Sequence, residues 1–151
     1  GNSLEIIDSG IFCKQSFGGS KIENIKDKFI QIPEESAKHL ILIAGTNNLK
    51  RDGTEIIMKK YDELISDAKS RNLRKISIVG ILRRTDIDDY TESKRIGLNL
   101  RLSQLCEKYE IDFIYEKMYD WYLAGDGLHL SERGENELAK VIQTHCTSYF
   151  N

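Results

Sequence analysis

The sequence has little proline and no tract of biased composition. Proline occurs once, at Pro33, and no low-complexity segment, linker or internal repeat stands out among the 151 residues. A chain of this length falls within the usual size of one domain. We therefore expect a single domain over residues 1–151. Because residue 1 is Gly and not Met, we do not expect it to be the natural start, so the domain is open to truncation at its N-terminus.

Long apolar runs and paired cysteines are also lacking. The longest apolar run, Leu40 to Ala44, has about five residues, far fewer than the roughly 20 that cross a bilayer. No charged-then-apolar leader is visible, so we expect neither a transmembrane segment nor a signal peptide. The cysteines Cys13, Cys106 and Cys146 are odd in number and have no CxxC spacing. Neither a disulfide framework nor a zinc knuckle is therefore indicated, and free thiols fit a cytoplasmic protein.

The charge of the chain is nearly balanced. Lys and Arg number 22 and Asp and Glu 24, which gives a formal charge of -2. Such a domain has no overall attraction for a phosphate backbone, although the net charge leaves a local basic patch open. We therefore expect no direct nucleic-acid binding by this domain.

Helical and strand patterns alternate along the chain. Helical spacing of apolar residues marks residues 21–30, Ile57 to Ala68, Leu98 to Tyr109 and a last helix opening near Ser131. Short apolar runs at residues 40–44, 76–81 and 111–114 indicate buried strands. This order predicts an α/β protein, a three-layer α/β/α sandwich with a parallel, flavodoxin-like sheet. Functional sites in such folds lie beyond the carboxyl ends of the strands.

Three segments near those ends contain the residue types that acyl transfer needs. They read Gly18-Gly19-Ser20, Gly45-Thr46-Asn47-Asn48 and Asp126-Gly127-Leu128-His129. A serine hydrolase uses a histidine base, a carboxylate that orients the imidazole, and donors for the oxyanion. Asp126 and His129 can supply the first two. The side-chain amide of Asn47 and the backbone N–H of Gly19 are candidates for the oxyanion hole, although Asn is also a common turn former and double Gly a common bend.

The order of these segments resembles the SGNH (GDSL-like) hydrolases, whose blocks run Ser, Gly, Asn and then Asp-x-x-His. GTNN and DGLHL match the last two blocks closely, and the resemblance covers nearly the whole chain. It is nearest to the esterase domain in the first reading frame of non-LTR retrotransposons, with platelet-activating-factor acetylhydrolases more distant. The resemblance implies the SGNH fold and a serine esterase for short-chain, acetyl-type esters of small molecules or lipids. It implies no metal and no organic cofactor.

Two serines compete as the nucleophile. Ser3 keeps Gly, Ser and Leu of the family's Gly-Asp-Ser-Leu block, and it leaves room for a turn and a strand at residues 11–17 before Gly19. Ser9 keeps Asp and Ser, but it lies only ten residues before Gly19, whereas a parallel return needs about a dozen. Against Ser3, its strand would lie upstream of residue 1, while Leu4 to Ile7 could serve Ser9. We favour Ser3 and keep Ser9 as the alternative.

Other readings of the sequence remain open. Gly18-Gly19-Ser20-Lys21 opening a helix would suit a phosphate-binding protein, but the P-loop spacing is absent. A hydrolase-like fold without activity, serving as a lipid-binding or interaction module, is the second alternative. Arg83 and Arg84 follow a predicted strand, so one of them could meet an anionic substrate group, or both could belong to a solvated loop.

Overall fold

The computed structural model describes residues 21–23, 39–71, 75–115 and 117–150. The predicted strand at residues 11–17 lies outside this part of the chain, and of the helix predicted at residues 21–30 only the first three residues belong to it. Strands and helices alternate in the order β1 (His39–Ile43), α1 (Thr54–Lys69), β2 (Lys75–Val79), α2 (Asp89–Lys108), β3 (Asp112–Ile114) and α3 (Glu132–Phe150). Two short 3-10 helices follow strands, at Thr46–Asn48 and Asp120–Tyr122.

The three described strands form one parallel sheet in the order β1-β2-β3. Ile43 pairs with Val79, and Val79 in turn pairs with Ile114. Parallel strands need long crossovers between them, which α1 and α2 supply. The carboxyl ends of all three strands therefore lie at one edge of the sheet.

Side chains alternate between the two faces of the sheet, as the geometry of a strand requires. Leu40, Leu42 and Ile78 pack in a core that contains the apolar stripes of α1 and α2. Val79 and Ile114 face the other way, against Leu138 and Ile142 of α3. Helices therefore cover both faces, which confirms the predicted three-layer α/β/α sandwich.

Strand β2 is shorter than the pattern of residues 76–81 predicts. It ends at Val79, and the backbone N–H and carbonyl of Ile81 bind a side chain instead of a neighbouring strand. Asn99 of α2 accepts from the Ile81 N–H at 2.7 Å and donates to the Ile81 carbonyl at 3.1 Å. The chain thus leaves the sheet while its buried backbone groups stay paired.

Helix α3 begins at the predicted place. The Ser131 hydroxyl accepts from the Gly134 N–H at 2.9 Å, which is the usual N-cap contact. The same hydroxyl donates to the Trp121 carbonyl at 2.9 Å. The start of α3 is therefore fastened to the 3-10 helix that precedes the Asp126 loop.

Candidate active site

The loop with Asp126 and His129 is closed by its own backbone. Leu123 and Leu130 form an antiparallel bridge at its base. The Ala124 N–H donates to the His129 carbonyl at 2.7 Å, and the Gly127 N–H donates to the Ala124 carbonyl at 3.0 Å. Gly127 has φ +70°, a conformation that glycine adopts at little cost. The ends of the loop are therefore fixed on either side of the two candidate residues.

Within this loop the Asp126 carboxylate binds His129 directly. Oδ2 of Asp126 lies 2.5 Å from Nδ1 of His129. Oδ1 accepts from the backbone N–H groups of Leu128 and His129, each at 2.9 Å. Both side chains are half-exposed, at 49% each. The predicted pairing of Asp126 with His129 is thus present in the geometry.

These contacts lower the pKa of the Asp126 carboxyl below its ordinary value. The hydrogen bond with His129 is the largest cause, and the two backbone N–H donors add to it. The carboxylate therefore stays ionised and acts as an acceptor for Nδ1–H. A neutral imidazole that carries its proton on Nδ1 has its basic lone pair on Nε2, which is the arrangement that a general base needs.

The turn after β1 carries Asn47. Gly45 has φ +104°, and a Cβ there would lie 2.2 Å from the Tyr61 hydroxyl. That hydroxyl donates to the Ala44 carbonyl at 2.8 Å, so the chain turns tightly against α1 as it leaves the sheet. Asn47 follows, half-buried, in the 3-10 helix Thr46–Asn48. It lies beyond the carboxyl end of β1, where the sequence predicts an oxyanion donor.

The neighbouring Asn48 has a different environment, which the sequence pattern does not indicate. It is fully buried, and its Oδ1 accepts from the Ile22 N–H at 2.9 Å. Its Nδ2 donates to Glu23 and to Asp52, both at 2.9 Å. The amide therefore fastens residues 21–23 to the turn that carries Asn47.

This contact bears on the second oxyanion candidate. Gly19 itself lies outside the described residues, but Ile22 follows it by three positions. Asn48 thus brings the chain just after the Gly-Gly-Ser segment to the same turn as Asn47. The sequence alone gives little indication that Asn48 joins these two segments, because either asparagine of GTNN has the amide that an oxyanion donor needs.

The loop after β2 contacts both the turn that carries Asn47 and the loop that carries Asp126 and His129. Arg84 donates to the Thr46 carbonyl at 2.9 Å, next to Asn47. The Thr85 N–H donates to the Gly127 carbonyl at 2.7 Å, next to Asp126. The turn after β1 and the loop over residues 124–130, which we call the base loop, therefore share a common support at the edge of the sheet.

The two arginines of this loop differ in environment, and the partly exposed Arg83 agrees with the solvated-loop reading of the sequence. Arg84 is buried and pairs with Asp86 through two hydrogen bonds, at 2.6 and 2.7 Å. Arg83 donates to Asp120, with the shorter contact at 2.8 Å. Each guanidinium already contacts a carboxylate of the protein, so a role in binding a substrate anion has no support. Arg84 is also not solvated, because only 7% of it is exposed.

An aromatic group lies just before the base loop. The rings of Tyr119 and Trp121 are nearly parallel, at 10° and 6.4 Å between centroids. Tyr122 is buried and its ring is 4.3 Å from that of Trp121. Arg133 of α3 lies over the Trp121 ring at 4.0 Å. These contacts pack the 3-10 helix against the start of α3 and so hold the base loop in place.

Ser3, Ser9 and Gly19 lie outside the described residues, so the nucleophile and the backbone oxyanion donor stay predictions. Among the residues that the structure describes, no group of three or more His, Cys, Asp or Glu side chains could hold a metal ion. No helix in the same part of the chain combines the length and apolar character that a membrane span requires.

Solved structures of esterases and lipases share this architecture. An acetyl xylan esterase, AlAXEase, has a TM-score of 0.71 and 16% identity, over 85% of this chain and 77% of that one. The lipase/acylhydrolase from Enterococcus faecalis has a TM-score of 0.69 and 15% identity, over 87% and 72%. The chain has the SGNH hydrolase fold. At these identities the likeness concerns the fold alone.

A third structure with this SGNH hydrolase fold belongs to an enzyme for which catalytic variants have also been solved. It is Axe2, an acetylxylan esterase from Geobacillus stearothermophilus, with a TM-score of 0.67 and 14% identity, over 82% of this chain and 66% of Axe2. In Axe2, replacement of a serine or of a histidine by alanine gives what are described as catalytic mutants. The present chain spans about two thirds of the length of Axe2. The sequence of the present chain matches no family model and no curated protein.

Proposed function

We propose that this protein is a serine esterase that hydrolyses short-chain, acetyl-type carboxylic esters through an acyl-serine intermediate. The observation that carries the proposal is the contact between Asp126 and the Nδ1 of His129, in a fold that known esterases share. The carboxylate is held by two backbone N–H groups, so it can orient the imidazole throughout a reaction. The site needs neither a metal ion nor an organic cofactor for this chemistry.

The reaction proceeds in two acyl transfers. Nε2 of His129 takes the proton of the nucleophilic serine as its oxygen attacks the ester carbonyl carbon. The tetrahedral intermediate collapses, the bond to the alcohol oxygen breaks, and the imidazolium returns the proton to the leaving alcohol. Water then attacks the acyl-serine, with His129 again taking and returning a proton, and the acid is released. Asp126 stabilises the imidazolium that forms in each step.

The oxyanion is held by three donors in this proposal. They are the side-chain amide of Asn47, the backbone N–H of Gly19 and the backbone N–H of the serine. The support for the first two is that Asn48 joins the segment following Gly19 to the turn that contains Asn47. Donors held in this way need no reorganisation when charge develops on the carbonyl oxygen, which is why they lower the barrier.

The substrate class rests on the resemblance of the sequence and on the fold. Two of the solved structures with this fold are of enzymes that act on acetylated xylan, and one is of a lipase/acylhydrolase. An acetyl ester of a small molecule or lipid is therefore the best substrate to test. A single domain in the cytoplasm and a kinship with retrotransposon esterase domains remain predictions from the sequence.

A p-nitrophenyl acetate assay tests the histidine and the carboxylate. His129→Ala should abolish turnover while thermal unfolding stays unchanged, because the side chain is half-exposed and its task is proton transfer. Asp126→Asn should lower kcat by about 10³ to 10⁴, since an amide disfavours the required tautomer. Glu137→Gln is the matched control, because it also removes a carboxylate charge, but from α3, where Glu137 pairs with the exposed Lys140. Full activity of His129→Ala would refute the proposed mechanism.

Fluorophosphonate labelling followed by digestion identifies the nucleophile. Only a serine within hydrogen-bond reach of the imidazole is activated enough to react, so we expect the label on Ser3. A label on Ser9 would show that Leu4 to Ile7 is the strand leading to the nucleophile. If neither serine is labelled and no ester is hydrolysed, even after extension of the chain upstream by about ten residues, the protein is a binding module and not an enzyme.

A further inference from the structure

We propose that Arg84 and Asp86 are positioning residues that hold the turn carrying Asn47 and the loop carrying His129 at a fixed separation. The inference rests on the proposed function, since it assigns these two loops to the oxyanion hole and to the base. Arg84, Thr85 and Asp86 are consecutive in the chain, and together they contact both loops. We call these three residues the bridging segment.

The first half of the argument is the contact with the turn after β1. Nη1 of Arg84 donates to the Thr46 carbonyl at 2.9 Å. Its Nε and Nη2 donate to the two carboxylate oxygens of Asp86 at 2.6 and 2.7 Å. A guanidinium bound bidentately has a fixed plane, so an Nη1 N–H is directed at the carbonyl of Thr46, one residue before Asn47.

The second half is the contact with the base loop. The Thr85 N–H donates to the Gly127 carbonyl at 2.7 Å. The two segments are so close that a Cβ on Gly127 would lie 2.6 Å from the Thr85 hydroxyl and 3.2 Å from the Asp86 N–H. The bridging segment therefore packs directly on the backbone between Asp126 and His129.

The chain that leads into the bridging segment is held by α2 at Ile81. Asn99 binds both backbone groups of Ile81, and Arg95 donates to the Ile81 carbonyl at 3.0 Å. Lys94 of the same helix donates to the Leu49 carbonyl at 2.7 Å, so it supports the far end of the turn after β1. Arg84 contacts the near end, at Thr46, next to Asn47.

A fixed separation is important because the two loops act on the same carbonyl group of the substrate. The base must reach the serine while the amide of Asn47 reaches the developing oxyanion. A displacement of about 1 Å between such groups costs about 10²-fold in rate. The residues of the bridging segment need not contact the substrate to have this effect.

The double variant Arg84→Met/Asp86→Leu removes both charges together, so no buried charge is left unpaired. We expect kcat for p-nitrophenyl acetate to fall about 10²-fold with KM within about twofold of the parent value. Hydrogen–deuterium exchange should rise in residues 45–49 and in residues 124–130, and stay unchanged in α1. Arg101→Met is the matched control, because Arg101 also binds a carboxylate, that of Glu55, with two hydrogen bonds but joins α1 to α2.

The exchange measurement separates this inference from the proposed function. If the parent protein hydrolyses no ester, the function fails, and faster exchange in both loops of the variant still supports the positioning role. Unchanged exchange in both loops, or an equal rise throughout the chain, would overturn it. Arg84→Lys provides a second test should the double variant not fold, because a lysine cannot bind both Asp86 oxygens and Thr46 together; unchanged exchange at residues 45–49 in that variant would also refute the inference.

Discussion

Replacement of Asn48 by Ala should destabilise the protein, whereas the same change at the adjacent Asn47 should mainly remove activity. Asn48 is fully buried and makes three hydrogen bonds through its amide. Asn47 is half-buried at the carboxyl end of the sheet. The two variants remove the same group from adjacent positions, so each serves as the control for the other.

The loss of stability in Asn48→Ala follows from the groups that lose the Asn48 amide as a hydrogen-bond partner. The Ile22 N–H becomes a buried donor without an acceptor, which costs about 1 to 3 kcal/mol. Glu23 and Asp52 keep Arg51 and Lys60 as partners, so we count only about 1.5 kcal/mol for the two lost bonds to carboxylates. The sum, about 2.5 to 4.5 kcal/mol, corresponds to a fall in Tm of roughly 10 °C for a chain of this size.

Thermal and denaturant unfolding measure the loss of stability in Asn48→Ala, and p-nitrophenyl acetate hydrolysis measures the loss of activity in Asn47→Ala. Asn47→Ala should lower kcat by about 10² to 10³, the usual effect of losing one oxyanion donor, with stability within about 1 kcal/mol of the parent. The assignment of Asn48 is refuted if its Ala variant unfolds within about 2 °C of the parent protein. Full activity of Asn47→Ala would equally refute its assignment to the oxyanion hole.

Three further results are expected. Gly134→Ala should lower stability by about 1 to 3 kcal/mol, because the new Cβ would lie 2.0 Å from the Tyr122 carbonyl oxygen. Gly97→Ala on the exposed face of α2 should raise stability by about 0.5 to 1 kcal/mol, since no atom lies within 4 Å of the new Cβ. Equal Tm values of the two variants would contradict this. Desolvation alone would raise the pKa of Glu23, but hydrogen bonds from its neighbours lower it from 4.5 to about 2. Its share of the stability is therefore present above pH 4.5 and lost towards pH 2, and Glu23→Gln should lack that part of the pH dependence in urea unfolding. Burial raises the pKa of the Cys106 thiol to about 12, so iodoacetamide should alkylate it only after unfolding, as peptide mass mapping will show.

The sequence predicts the described strands and the pairing of Asp126 with His129. Both are local in origin, because an apolar run reveals a buried strand and three residues of spacing bring a carboxylate to an imidazole. The prediction of α2 is less complete. The helix begins at Asp89, well before the apolar residues that mark it, because two of its inward positions are Arg95 and Asn99. Apolar periodicity does not detect buried polar side chains.

The contacts that assemble the site could not be predicted in this way. Asn48 binds Ile22 across 26 positions, and Arg84 binds Thr46 across 38. Nothing at either residue indicates its partner, since the chain must fold before the two meet. Arg84 also follows a strand, where a substrate contact is as reasonable from sequence alone as the internal ion pair that the structure has.

The central position of β2 has a consequence for the order in which the protein folds. Its loop contacts both the turn after β1 and the loop before α3, so neither can be arranged correctly until β2 lies between its neighbours in the sheet. Parallel pairing across helical crossovers is a slow, non-local event. Helical content measured during refolding should therefore recover before the proposed esterase activity does, because that activity requires β2 to be paired with both of its neighbours.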